Sequence, residues 1–185
     1  MKQLSLLLIF LLAATAVQAA PAAGKSFSVT LGAGVRTLSG DEEDVYDSFN
    51  LVFSLDLAYR LGKSFEICLH SDYLSAEGEL SITQDPTTLT VLPVEAGVRY
   101  LLGGGTVIPY IGAGAGFYSV KEDNVIGTVN ETSLGFFAEG GVRFAFAAAV
   151  FADLKAKYTA LSITPENNSI NLGGFSLSGG IGFSF

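Results

Sequence analysis

The chain has 185 residues, with 10 Lys and Arg against 18 Asp and Glu for a net charge of −8, a balance that argues against a nucleic-acid partner. Its single cysteine excludes a disulfide framework and a thiolate metal cluster. Mean hydropathy is +0.46, yet no long apolar run survives beyond the N-terminus, so hydrophobicity must be spread by alternation.

Met1-Lys2-Gln3 is a short positive start, Leu4 to Ala16 is an apolar stretch, and Val17-Gln18-Ala19 offers small or short residues for a cleavage site. Residues 1–19 therefore read as a secretory signal peptide. The apolar stretch is shorter than the roughly 20 residues of a spanning helix. Residues 20–25 form a short N-terminal segment, and residues 26–185 read as one domain with no linker.

Eight strands follow. The first, about Ser26–Leu38, sets Phe27, Val29, Leu31, Ala33 and Val35 against Thr30 and Arg36. The second, about Phe49–Leu61, alternates seven times, with Phe49, Leu51, Phe53, Leu55, Leu57, Tyr59 and Leu61 on one face, a pattern no helix produces. The third, about Ser64–Leu74, sets Phe65, Ile67, Leu69 and Tyr73 against Glu66, Cys68, His70 and Asp72. The fourth, about Leu89–Leu102, sets Leu92 to Leu102 in steps of two against Glu95 and Arg99, and Pro93 marks a missing ladder bond. The fifth, about Val107–Val120, is diluted by glycine, and its parity stays open between Tyr110 with Tyr118 and Ile111 with Phe117. The sixth, about Leu134–Phe146, sets Leu134, Phe136, Val142 and Phe144 against Glu139 and Arg143. The seventh, about Val150–Leu161, sets Leu154 and Tyr158 against Asp153, Lys155 and Lys157. The eighth, Gly173–Phe185, sets Phe175, Leu177, Ile181, Phe183 and Phe185 against Ser and Gly.

An apolar outer face opposite a polar one, repeated over short segments, is the pattern of a transmembrane β-barrel with lipid outside. Short connections fall at Gly62-Lys63, Gly103-Gly104-Gly105 and Ala147-Ala148; long ones at about Ser39–Ser48, Ser75–Thr88, Ser119–Ser133 and Ser162–Leu172. Short periplasmic turns and long external loops fit an outer-membrane barrel with both termini in the periplasm. Tyr59 and Tyr100 then lie near the periplasmic interface, and Tyr73 and Tyr158 near the outer one.

Charge sorts by location. Arg36, Arg60, Arg99, Arg143, Lys155 and Lys157 lie on polar strand faces, with Asp56, Glu66, Asp72, Glu95, Glu139 and Asp153. Their balance predicts a neutral lumen, to which His70 also points. The other acids, Asp41, Glu42, Glu43, Asp44, Asp47, Glu77, Glu79, Asp85, Glu122, Asp123, Glu131 and Glu166, fall in the long loops, answered there only by Lys121. If Leu61 faces Phe65, then Arg60 meets Glu66 and Asp56 meets His70; a turn about Ala148 sets Arg143 opposite Asp153 and Glu139 opposite Lys157. An eight-stranded barrel is only wide enough for its side chains, so the lumen reads as an ion-paired plug rather than a pore.

Pro109–Gly116 (PYIGAGAG), Gly135–Phe144 (GFFAEGGVRF), Leu154–Tyr158 and Gly182-Phe183-Ser184-Phe185 together resemble the small outer-membrane β-barrel family of OmpA/OmpX/Ail type over essentially the whole chain after residue 19. The resemblance implies residence in the bacterial outer membrane among lipid and lipopolysaccharide. It also implies insertion by the barrel assembly machinery, which reads a terminal aromatic strand, here Phe183 and Phe185. It implies no single function, since members include structural proteins, adhesins and occasional enzymes. The expected role is structural and surface-exposed, by a monomer whose loops meet any extracellular ligand; the alternative is a narrow channel for ions or small solutes.

An enzyme reading is weaker. Ser54, Asp56, His70 and Asp72 share the lumen, nominally a nucleophile, a base and an orienter. Acyl chains of lipid A, however, lie outside, and Ser71 points away from His70. Asp41 to Asp47 lacks the spacing of an EF-hand and reads as a solvated acidic loop. No catalytic residue, metal ligand or cofactor is assigned from sequence.

Overall fold

The computed structural model describes residues 26–38, 49–79, 85–125, 127–146, 149–163 and 170–185. The expected signal peptide, residues 20–25 and the acidic run at 41–47 lie outside them. Nine strands are present among the described residues: β1 (Phe27–Leu38), β2 (Asn50–Leu61), β3 (Phe65–Glu79), β4 (Pro86–Leu101), β5 (Val107–Asn124), β6 (Gly127–Ala145), β7 (Val150–Ile163), β8 (Ile170–Asn171) and β9 (Gly174–Ser184). Each of β1 to β6 pairs antiparallel with its successor; β7 continues to β9, and β9 pairs with β1. The result is a closed eight-stranded up-and-down barrel, with β8 a two-residue addition at the rim beside Ser162 and Ile163. Among the described residues, each of the eight barrel strands is paired on both sides, which removes the free edges of an open sheet. Phe185 N–H donates to the Phe27 carbonyl at 2.8 Å and Phe27 N–H donates back at 3.3 Å.

The registers follow the sequence pattern. Leu61 faces Phe65, Arg60 faces Glu66, Asp56 faces His70, Arg143 faces Asp153 and Glu139 faces Lys157. The tight turn before β3 places Gly62 at φ +71°, a left-handed conformation that a Cβ disfavours. The β3–β4 ladder breaks between His70↔Glu95 and Leu74↔Val91 and resumes in the same register. The break centres on Pro93, which has no N–H to give.

Two expectations are corrected. The connections at about Ser75–Thr88 and Ser119–Ser133 are largely strand: β3 runs to Glu79, β4 begins at Pro86, and β5 and β6 form a continuous hairpin to Asn124↔Gly127. Their acids Glu77, Glu122, Asp123 and Glu131 therefore stand on extended strands rather than in loops. The alternation that revealed the membrane segments depends on lipid on one side, and it fails as a signal where strands rise into water. The open parity of β5 is settled too: Tyr118 is 0% and Tyr110 2% exposed, while Phe117 and Ile111 face outward at 65% and 54%.

An apolar belt encircles the barrel. Leu51, Phe53, Ile67, Leu69, Val94, Val98, Phe136, Leu154, Phe175, Leu177 and Ile181 are all exposed, which is tolerable only against lipid. Tyr59, Tyr100 and Tyr158 share this face, with Tyr100 packed on Phe65 at 5.2 Å between ring centroids.

Candidate functional site

The lumen holds three linked tiers of charge. At the end with the termini and short turns, Arg143 Nη1 donates to Glu66 Oε1 at 2.8 Å and Nε donates to Asp153 Oδ2 at 3.1 Å. Arg60, partly exposed, also reaches Glu66 Oε1, at 3.2 Å. Tyr110 Oη donates to Asp153 Oδ1 at 2.8 Å, and the Arg143 guanidinium lies near the Tyr110 and Phe151 rings. In the middle, Arg99 donates from Nε to Glu139 Oε1 at 2.5 Å and from Nη1 to Asp56 Oδ1 at 3.0 Å. His70 Nδ1 meets Asp56 Oδ2 at 2.8 Å, and Lys155 Nζ reaches the same oxygen at 3.4 Å. Farther out, Lys157 Nζ donates to Glu95 Oε2 at 2.7 Å and pairs with Asp72, while Tyr118 Oη donates to Glu95. Arg36 is buried and gives Nη2 to the Leu172 carbonyl at 3.1 Å. Such pairs contribute little net stability, but removing one partner strands the other in a low dielectric.

Four buried polar atoms lack a hydrogen-bond partner among the described residues: Arg36 Nε, Glu66 Oε2, Asp72 Oδ1 and Arg143 Nη2. Glu66 and Arg143 line a cavity of about 130 Å³ at the end with the termini, beside Arg60, Phe151 and Ser184. A cavity of that size with charged side chains in its wall admits water.

Above the charged tiers the lumen turns apolar. Leu38, Leu74, Ala76, Leu89, Val91, Tyr118, Val120, Leu161, Ile163 and Leu172 form one packed cluster, each 0–7% exposed, with Ile170 packed against it. Sequence reading missed this cap. The signal was present: Leu74 and Ala76 continue the parity of Asp72, Leu89 and Val91 that of Glu95, and Leu161 and Ile163 that of Lys157. On the same stretches the outward residues are polar, with Ser75, Glu77, Ser119, Lys121 and Ser162 exposed. The two faces exchange character where the strands leave lipid for water, so the rim is built like a soluble barrel on top of a membrane one.

Lumen-facing aromatics were also missed. Phe137 and Phe151 are buried, and each lies on the parity of the charges in its strand. Room for them comes from glycine. A Cβ on Gly114 would meet Phe137 Cε1 at 2.6 Å, one on Gly112 would meet Arg99 Cγ at 3.0 Å, and one on Gly116 would meet Glu95 Cγ at 2.8 Å. The GAGAG stretch is thus the thin wall behind the largest lumen side chains.

Of the nominal catalytic set, His70 and Asp56 are brought together at 2.8 Å. Ser54, Asp56, His70 and Asp72 are all buried, but the free nitrogen of His70 faces Cys68 Sγ at 3.2 Å rather than a hydroxyl. No serine is hydrogen-bonded to His70 among the described residues.

A family model described as the outer membrane protein beta-barrel domain matches residues 6–185. Among solved structures, the chain is similar to neisserial surface protein A (20% identity over 86% of this chain and 97% of that one, TM-score 0.71). It is similar to the Yersinia pestis attachment invasion locus protein Ail, in complex with the heparin analogue sucrose octasulfate (16% identity, 86% and 98% covered, TM-score 0.61). It is also similar to E. coli outer membrane protein W (17% identity, 87% and 98% covered, TM-score 0.54). At these identities the likeness is one of fold. The comparison with curated proteins gave no match.

Proposed function

The chain belongs to the outer membrane protein β-barrel domain family, resident in the bacterial outer membrane, and we propose that within it the protein is a closed, non-conducting barrel that works at the cell surface. One observation carries the reading: an apolar cap exposed by no more than 7% lies over three tiers of ion pairs. A conducting pore needs a continuous hydrated path; on this reading the apolar cap and the paired charges beneath it interrupt that path, while the cavity at the end with the termini admits water. Planar-bilayer recording is the test. A silent bilayer is expected, and a steady open conductance would favour the narrow channel instead. The reading treats the barrel as a monomer and as non-enzymatic; hydrolysis of lipid A that disappears in His70→Ala would overturn the latter.

The surface work falls to the strands that rise above the rim. They carry Glu77, Glu122, Asp123 and Glu131, and Lys121 among them is already paired with Asp123. Ail was solved with a polysulfated ligand, but this acidic rim suits cations that bridge to lipopolysaccharide phosphates, or a basic partner, rather than a polyanion. Binding of cells to matrix or host ligands, lost when the hairpin tips are deleted, would establish adhesion.

Phe183 and Phe185 are read as the assembly signal for the barrel assembly machinery. Phe185 also forms the closing hydrogen-bond pair with Phe27. Its deletion should lower the folded, heat-modifiable barrel in cells; normal insertion would count against this role.

A further inference from the structure

We propose that the lumen binds one divalent transition-metal ion of the zinc class on Cys68 Sγ, His70 Nε2 and Glu139 Oε1. Cys68 and His70 are two apart on β3 and so share its inner face. Glu139 reaches them from β6 on the far side of the lumen. His70 Nε2 lies 3.2 Å from Cys68 Sγ and 3.7 Å from Glu139 Oε1, and the three ligand atoms lie within 4.8 Å of one another. Tetrahedral zinc with ordinary Zn–N, Zn–O and Zn–S bonds separates its ligand atoms by about 3.3–3.6 Å. Small side-chain adjustments therefore bring the set around an ion.

The surroundings are those of a metal-ligating histidine. Asp56 Oδ2 lies 2.8 Å from Nδ1; in the tautomer with the proton on Nδ1, the Nε2 lone pair faces Cys68 and Glu139. A carboxylate behind the ring is the common way of fixing tautomer and orientation at such ligands. Arg99 holds both carboxylates, Asp56 and Glu139, and each carboxylate oxygen has lone pairs for a guanidinium and an ion together. Asp56, His70, Glu139 and Arg99 thus form a ring whose one open link is His70 Nε2 to Glu139 Oε1. At 3.7 Å that link is too long for a hydrogen bond and suited to an intervening ion.

The donor set selects the metal. One thiol, one imidazole and one carboxylate suit zinc and its neighbours, whereas magnesium and calcium prefer oxygen throughout. The single cysteine excludes a thiolate cluster but not this mixed set. On binding, the Cys68 S–H bond breaks, its proton passes to solvent, and the thiolate pair forms the bond to the ion. Cys68 and His70 are each 1% exposed, so the ion enters as the barrel closes rather than afterwards. The site stands independently of whether the lumen conducts.

The test is to refold the full chain in detergent with Co²⁺ or Zn²⁺ present, remove free metal, and measure metal per chain and the cobalt spectrum. One ion per chain is expected, with a thiolate-to-cobalt charge-transfer band. Cys68 is the only cysteine, so that band reports this site without any variant. Cys68→Ser and Cys68→Ala, checked for folding by heat-modifiable migration, should lose the ion. Folded wild-type barrel without retained metal, cobalt bound without the thiolate band, or equal retention in the folded Cys68 variants would each overturn the proposal.

Discussion

Arg99 on β4 holds Asp56 on β2 across the strand between them, with Nη1 on Oδ1 at 3.0 Å and Nη2 on Oδ2. The same guanidinium reaches Glu139 on β6 through Nε at 2.5 Å. One side chain on β4 therefore ties together strands two places away in each direction, as no backbone ladder does. Its planar fork supplies the geometry that a point charge lacks.

Removing that fork should be costly. Arg99→Met removes the shared cation of the buried Asp56 and Glu139, and breaking a buried pair in this way costs about 3–5 kcal/mol. Arg99→Lys keeps the charge but loses the bidentate contact, and should fall between. Urea unfolding of the barrel in lipid vesicles measures both. Equal stability of all three proteins would mean that the network is hydrated and unimportant.

Arg143 and Asp153 face each other in the β6–β7 hairpin, and the hairpin alone suggests that exchanging them should preserve folding. The structure argues otherwise. Arg143 also donates to Glu66 at 2.8 Å, and Tyr110 donates to Asp153. The exchange would set an aspartate against Glu66 and deprive the Tyr110 hydroxyl of its acceptor. The exchanged protein should therefore unfold at lower urea than wild type, and adding Glu66→Gln should restore part of the loss. An exchange as stable as wild type would show that the hairpin pair acts alone.

The contrast shows how far the chain could be read. Pairs such as Arg60 with Glu66 and Asp56 with His70 follow from turn length and a period of two, because adjacent antiparallel strands place facing residues on one side. Arg99 with Asp56, and Lys157 with Asp72 and Glu95, span the bore, and no local rule relates strands that are not neighbours. The cap was hidden for another reason. Leu74 and Val91 look like any strand residues, and only the polarity of Ser75 and Thr90 beside them reveals that the outer face has left lipid. The Cys68–His70–Glu139 grouping joins a visible same-face pair to a residue from across the lumen. Only its local half was legible.

If the lumen is closed as proposed, the apolar cap and the ion pairs below it should act as separable barriers. Leu74→Ala and Leu161→Ala each hollow the cap, where both side chains are nearly inaccessible, and such truncations cost roughly 2–5 kcal/mol. On the proposed non-conducting reading, bilayers holding either variant should nevertheless stay silent, because Lys157 remains paired with Asp72 and Glu95 across the bore below. Destabilisation by urea together with absent conductance is the expected result. Steady conductance from Leu74→Ala would show that the cap alone closes the barrel.

The thin wall of β5 gives a prediction with an internal control. A Cβ at Gly114 would meet Phe137 Cε1 and Gly97 Cα, each at 2.6 Å, and the Ala96 carbonyl. Two of these are backbone on the neighbouring strand, which cannot yield without bending the ladder Gly97↔Gly114. Overpacking of this kind costs about 1–3 kcal/mol, so Gly114→Ala should unfold at distinctly lower urea. At Gly140 on β6 the nearest contact is the Tyr110 carbonyl at 3.8 Å, ordinary van der Waals distance, and Gly140→Ala should be nearly neutral. Phe137→Leu combined with Gly114→Ala relieves the ring but not the backbone, so it should recover only part of the loss. Full recovery would place the whole conflict in the Phe137 side chain, and a neutral Gly114→Ala would mean that the β4–β5 wall is looser than its contacts imply.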